Sequence, residues 1–272
     1  MHTHFIGILS LLLYLTAGAL LAARMSRRGE AGRLPLRGLA LASGFAAAAL
    51  HAWILYPRMV TPEGLDLAFF NAVSLIGVIT ALILLLAALQ RPLENLGVAV
   101  FPFAGLTLAL MYAYAGASHL RTPGNWQLDL HILMSILAYS VLAIAAVQAV
   151  LLAVQDHQLH ARRPGGLVRA LPPLAVMESL LFQLIGIGFV LLSIALLTGV
   201  FFLEDIFAQH LVHKTILSFL AWFVFAVLLW GRWRFGWRGR KAIRWTLTGY
   251  LFLMLAYLGT KLVLELVLRT AA

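Results

Sequence analysis

Long apolar runs alternate along the chain with short polar segments rich in glycine and proline. The apolar windows fall at about 4–23, 37–56, 67–89, 96–115, 131–154, 177–203, 214–231 and 246–268. Each is roughly 20 residues, enough at 1.5 Å per residue to cross a hydrocarbon core about 30 Å thick. The runs are unbroken and do not alternate over the shorter length of a barrel strand, so they predict helices. The fold class is therefore all-α, a polytopic membrane protein of about eight transmembrane helices. The seventh window is the shortest and suits a tilted or deeper-starting helix. Pro102, inside the fourth, removes one helix hydrogen bond and predicts a kink. Turn signals stand between windows at Pro57, Pro62 and Gly64, at Arg121 to Gly124, at Pro164 to Gly166 and at Pro172–Pro173. With no internal repeat, residues 1–272 are expected to form a single membrane domain.

Composition agrees with this picture. Hydrophobic residues make up 62% of the 272 positions and charged residues 11%, against roughly 25% charged in soluble domains. Mean hydropathy is +0.95. Such a chain lacks the polar groups to cover itself in water, so the lipid bilayer is its expected surroundings. The net charge of +10 does not point to nucleic acid, because the cations sit in short connections between windows. The first, third, fifth and seventh connections hold Arg24, Arg27, Arg28, Arg33, Arg37, Arg91, Arg162, Arg163, Arg169, Arg232, Arg234, Arg238, Arg240, Lys241 and Arg244. The second, fourth and sixth hold only Arg58, Arg121 and Lys214. Cations accumulate on the cytoplasmic side, so both termini are expected outside, N-out and C-out. Met1 to Phe5 lacks a basic n-region, and the run after it is long and flanked by Arg24, Arg27 and Arg28; it is expected to be the first span, not a cleaved signal peptide. The predicted location is the bacterial inner membrane.

Absence of cysteine excludes disulfides, thioether attachment of haem and thiolate metal sites. Histidine is then the leading ligand type. In the expected topology His157 and His160 lie in a basic cytoplasmic connection and His2 and His4 at the outer terminus, all consistent with solvated residues. His51, His119, His131, His210 and His213 concentrate toward the outer side. His131 opens the fifth window and His213 stands at the equivalent boundary of the seventh, so the two share one depth. Two imidazoles facing one cavity match the axial ligand set of haem iron, and His51, about one helical turn inside its window, reaches a similar level. Interfacial histidines bonded to headgroups or to a neighbouring helix are the alternative. Asp129 or Glu204 are candidates to orient an imidazole through its second nitrogen.

Trp53, Tyr56, Trp126, Phe201, Phe202, Phe207 and Tyr257 cluster near the outer interface, as an aromatic belt or as flanks for a porphyrin. Trp222 and Trp230, eight residues apart, predict a shared packing face. Glu178 is placed to offset the positive end of its own helix. No nucleophile with a neighbouring base, phosphate loop or zinc pattern appears, so no enzymatic activity is expected.

Several stretches resemble the cytochrome c assembly protein family: His131-Ile-Leu-Met-Ser-Ile-Leu-Ala-Tyr-Ser-Val-Leu, Leu171-Pro-Pro-Leu-Ala-Val-Met-Glu, Gly186 to Gly199, and His213-Lys-Thr-Ile-Leu-Ser-Phe-Leu-Ala-Trp. The resemblance is clearest over 131–261 and strongest to the short, eight-span YpjD-like or HemX-like branch, including Trp237-Arg-Gly-Arg-Lys. It implies a haem-handling membrane protein in which His131 matches an outer haem histidine. The tryptophan-rich WxWDPKE-like core of the family's synthases has no counterpart here, where Phe201-Phe-Leu-Glu-Asp-Ile-Phe-Ala-Gln-His-Leu-Val-His stands instead. Trp230 stands where the synthases carry a histidine within a span. The expectation is therefore a relative of the cytochrome c synthases that binds haem b, with His131 and His213 as axial iron ligands and His51 as a third cofactor-binding candidate. The alternative is an accessory or transport subunit that keeps the fold without haem, serving a membrane partner that the sequence does not name.

Overall fold

The computed structural model describes residues 2–26, 34–62, 64–114, 120–121, 126–161, 171–202 and 212–259. Among the described residues eight α-helices run in order: α1 His2–Ser26, α2 Leu34–Met59, α3 Phe69–Gln90, α4 Gly97–Ala113, α5 Trp126–His160, α6 Leu174–Phe202, α7 Val212–Phe235 and α8 Arg240–Met254. A 3-10 turn, Glu94–Leu96, leads into α4, and α8 continues as a π-helical turn, Leu255–Gly259. Seven of these helices are long and apolar enough to cross a bilayer. The protein is thus an all-α, polytopic membrane protein. The eighth expected span, 246–268, begins on α8 and runs on outside the described residues. The seventh is fuller than its apolar window suggests: α7 continues through Arg232 and Arg234, whose long side chains let a helix end in the headgroup zone.

The chain forms two compact units, one of residues 1–123 and 154–173, the other of residues 124–153 and 174–272. In the first, α1 packs on α2 and α4, and α3 on α2 and α4, a closed ring in which consecutive helices are neighbours. Its interior is built from positions three or four apart: Tyr14, Ala17 and Leu21 on α1, Ala81, Leu84, Leu85 and Ala88 on α3, Phe101, Ala104 and Leu108 on α4. Small residues bring backbones together, most closely at Gly77, where a β-carbon would collide with the Thr107 hydroxyl on α4. One end of the ring carries a small antiparallel sheet in which β2 (Gly64–Asp66) pairs with β1 (Val60–Thr61) and β3 (Leu120–Arg121).

In the second unit, Ala138, Leu142, Ala145 and Ala149 of α5, Leu181, Ile185 and Leu192 of α6, and Ala221, Phe225 and Leu228 of α7 are buried. Gly188 lies against Leu142 and Gly249 against Phe225, each too close to admit a side chain without repacking. Buried polar groups are matched: the Gln148 amide donates to the Met177 carbonyl at 2.9 Å, and the Tyr139 hydroxyl to the Leu253 carbonyl at 2.7 Å, two residues before the π-helical segment. The outward faces stay apolar, as in Ile187, Val190, Leu197 and Val200 of α6. That arrangement would be costly in water and is what lipid demands.

The basic stretch after α7, expected as a loop, is mostly helical. Arg232 and Arg234 end α7, while Arg240, Lys241 and Arg244 open α8; only Gly236–Gly239 turn the chain. Gly236 and Gly239 hold φ of 64° and 59°, a left-handed conformation that glycine adopts without strain. Glu178 does not serve its own helix: its Oε1 accepts the Gly239 N–H at 2.7 Å and caps α8.

Candidate functional site

His131 lies on the second turn of α5, half-buried against α6. Its Nδ1–H donates to the Ala195 carbonyl at 2.8 Å, with the Thr198 hydroxyl at 3.3 Å. A carbonyl only accepts, so this bond puts the proton on Nδ1 and leaves the lone pair of a neutral imidazole on Nε2. Nε2 has no partner among the described residues. Metal-binding histidines are commonly oriented in this way, with one nitrogen tied to a carbonyl and the other turned to the ligand. Thr198 is itself fixed, its hydroxyl donating back to the α6 carbonyls of Ile194 and Ala195 at 2.9 Å each. The orienting pair therefore comes from α6; Glu204, one expected orienting group, lies outside the described residues.

His51 sits in the other unit and in a different environment. It is fully buried, with Nε2 at 2.7 Å from Ser74 Oγ and Nδ1 at 3.4 Å from the Tyr14 hydroxyl. The Tyr14 ring meets the imidazole edge-on, at 5.9 Å between centroids. Both ring nitrogens are engaged and no face is open. His213 falls on the first turn of α7, in the same unit as His131, with its side chain outside the described residues. His157 and His160 are exposed, as expected, and His160 pairs with Asp156 at 3.2 Å. His4 packs beside Tyr112, 5.3 Å between centroids. His119 and His210 lie outside the described residues.

Among the described residues no three His, Asp or Glu side chains converge on a point. A bare metal ion needs such a convergence. A porphyrin supplies its own in-plane nitrogens and asks the protein for one or two axial donors, a requirement that a single oriented imidazole can meet in part. Trp126 on α5 and Phe201 on α6 are largely exposed, and in the first unit so are Trp53 and Tyr56 on α2, the exposure of an aromatic belt. Tyr257 instead packs inward on Tyr139, 5.6 Å between ring centroids. Trp222 and Trp230 do not share a face. Eight helical residues turn through about 80° beyond two full turns, so Trp222 stacks on Phe189 and donates to Ser193 Oγ at 2.8 Å, while Trp230 is exposed beside Phe235.

Residues 39–268 match the family model described as cytochrome C assembly protein. The chain belongs to this family. Among its relatives, the inner membrane protein YpjD of Escherichia coli K12 is 34% identical over 236 residues, covering 85% of this chain and 88% of that protein. An uncharacterized 28.8 kDa protein of Azospirillum brasilense is also 34% identical, over 90% of this chain and 91% of its own length. The cytochrome c biogenesis protein CcsA of Chlamydomonas reinhardtii is 27% identical over 143 residues, 52% of this chain and 39% of that one. No solved structure gives a significant match. As a cytochrome c assembly family protein with these apolar helices, the chain is a multi-pass protein of the inner membrane.

The sequence pattern did not point to Ala195 and Thr198 as the groups that orient His131, nor to Tyr14 and Ser74 around His51. A backbone carbonyl leaves no residue signature, and single hydroxyls in an apolar run are common. Glu94, buried against Arg24 and Arg37, was also missed, although it is an acid in an otherwise cationic connection.

Proposed function

We propose that the protein is a haem-handling membrane protein without enzymatic activity of its own, binding haem b near the outer face through axial His131 and His213. The observation that carries this reading is the His131 imidazole, whose Nδ1–H is committed to Ala195 O and whose Nε2 has no partner among the described residues. Membership of the cytochrome c assembly family supports the choice of haem, and the CcsA name of the Chlamydomonas relative agrees with it. His213 enters as second ligand because it opens α7 in the unit that also holds His131. His51, enclosed by Tyr14 and Ser74, takes a packing role in this proposal and not a ligand role. The missing tryptophan-rich segment argues for haem binding without cytochrome c ligation.

The test is the optical spectrum of the full-length protein purified in mild detergent and titrated with haemin. The expected result is a Soret band in the wild type that is lost in His131→Ala and His213→Ala. It should remain, shifted in position or weakened, in Thr198→Val, which keeps the Ala195 carbonyl. A colourless wild type that takes up no haemin refutes the proposal and favours the accessory subunit.

A further inference from the structure

At one end of the first unit, where α1 and α3 finish and α4 begins, two guanidinium groups converge on one buried carboxylate. Glu94 Oε1 lies 3.1 Å from Arg24 Nη1 and 3.5 Å from Arg37 Nε; Arg24 Nη1 also reaches Asn95 Oδ1 at 3.4 Å, and Arg37 Nη2 donates to the Ala88 carbonyl at 2.7 Å. The set is unfinished. Glu94 is 8% exposed, yet among the described residues its second oxygen, Oε2, has no hydrogen-bond partner, and neither has the Arg24 Nε–H. Leaving a buried charged group unsatisfied costs more than leaving a neutral one so, and folded proteins rarely leave such atoms without a partner of some kind.

Both atoms belong to residues lining a cavity of about 230 Å³, completed by Met25, Pro92, Asn95, Leu171 and Pro172. A water molecule takes roughly 30 Å³, so the space suits a larger occupant. The orphans define its chemistry: an acceptor for Arg24 Nε–H and a donor for Glu94 Oε2. Two arginines and one glutamate leave one positive charge, so an occupant carrying one negative charge would neutralise the site. The cavity lies at the ends of membrane-crossing helices, the level of lipid phosphates, and Met25, Pro92 and Leu171 offer an apolar wall.

We infer that this cavity binds the headgroup of a hydroxylated anionic phospholipid, a phosphodiester of glycerol whose phosphate meets Arg24 and whose hydroxyl donates to Glu94 Oε2. The inference does not rest on haem binding.

Native mass spectrometry of the full-length protein, with lipids added in pairs at equal concentration, tests it. Phosphatidylglycerol should be retained about tenfold over phosphatidylmethanol, which has the same charge and no hydroxyl, and over phosphatidylcholine; tenfold corresponds to about 1.4 kcal/mol. Arg24→Lys keeps the charge beside Glu94 and removes the Nε donor, so it should lower phosphatidylglycerol retention about tenfold. Arg238→Lys, at an exposed cation of the other unit, should leave it unchanged. Equal retention of phosphatidylglycerol and phosphatidylmethanol by the wild type overturns the inference, whether or not the variants fold. Displacement of phosphatidylglycerol by millimolar inorganic phosphate would assign the cavity to a free anion and overturn the lipid.

Discussion

Removing the Ser74 hydroxyl isolates what His51 does. Ser74 Oγ and His51 Nε2 are 2.7 Å apart and both residues are fully buried, so in Ser74→Ala no water replaces the lost partner. An orphaned neutral polar group costs about 1–3 kcal/mol in soluble proteins. Interhelical hydrogen bonds in membranes are weaker, up to about 1.7 kcal/mol. The Tyr14 hydroxyl faces the other ring nitrogen, 3.4 Å from Nδ1, so it does not replace the partner lost by Nε2. A loss of about 1–2 kcal/mol is therefore expected, which at roughly 2–4 °C per kcal/mol for chains of this size lowers Tm by about 2–8 °C. Adding His51→Leu should cost little more than Ser74→Ala alone, because replacing both partners by apolar groups removes the orphan. The assay is thermal unfolding in detergent of the two single variants and the double, with the Soret band of haemin-loaded protein recorded in parallel. Strictly additive losses would refute the hydrogen-bond account. Loss of the Soret band in His51→Leu, with Tm little changed, would refute the packing role and return His51 to the ligand set.

Glycine positions give a paired contrast: Gly77→Val should destabilise by about 1–3 kcal/mol through collision with Thr107. Gly186→Ala meets nothing within 4 Å and should be neutral or stabilising by up to about 1 kcal/mol in the same unfolding assay. Glu178→Ala removes the acceptor of the Gly239 N–H and should cost about 1 kcal/mol, as loss of a helix cap does; hydrogen exchange at the α7–α8 turn would show the fraying directly, and unchanged protection there would contradict the capping role. For orientation, periplasmic reporters fused to either end should both be active in a bacterial host. Activity at only one end would overturn the eight-span, N-out and C-out arrangement.

The spans were legible in the sequence because a bilayer constrains length above all: an unbroken apolar run of about 20 residues has few alternatives to a crossing helix. Which face of each helix turns inward was far less legible. Ile187 and Val190 face outward while Ile185 and Leu192 are buried on the same helix. Inward and outward residues are thus chemically alike, and the polar and apolar stripes that mark a soluble helix are missing. The histidines show the same limit. His51 and His131 stand at similar depth in their windows, and depth alone kept both among the ligand candidates, with His131 ahead and His51 third. Their difference lies in partners from other helices: Ser74 and Tyr14 close around both nitrogens of one, while the α6 carbonyl of Ala195 takes only one nitrogen of the other. Depth in the membrane selects which side chains can reach a shared level, and the tertiary hydrogen bonds decide which of them keeps a lone pair to offer. By that criterion the case for haem turns on His131, whose Nε2 keeps its lone pair uncommitted among the described residues.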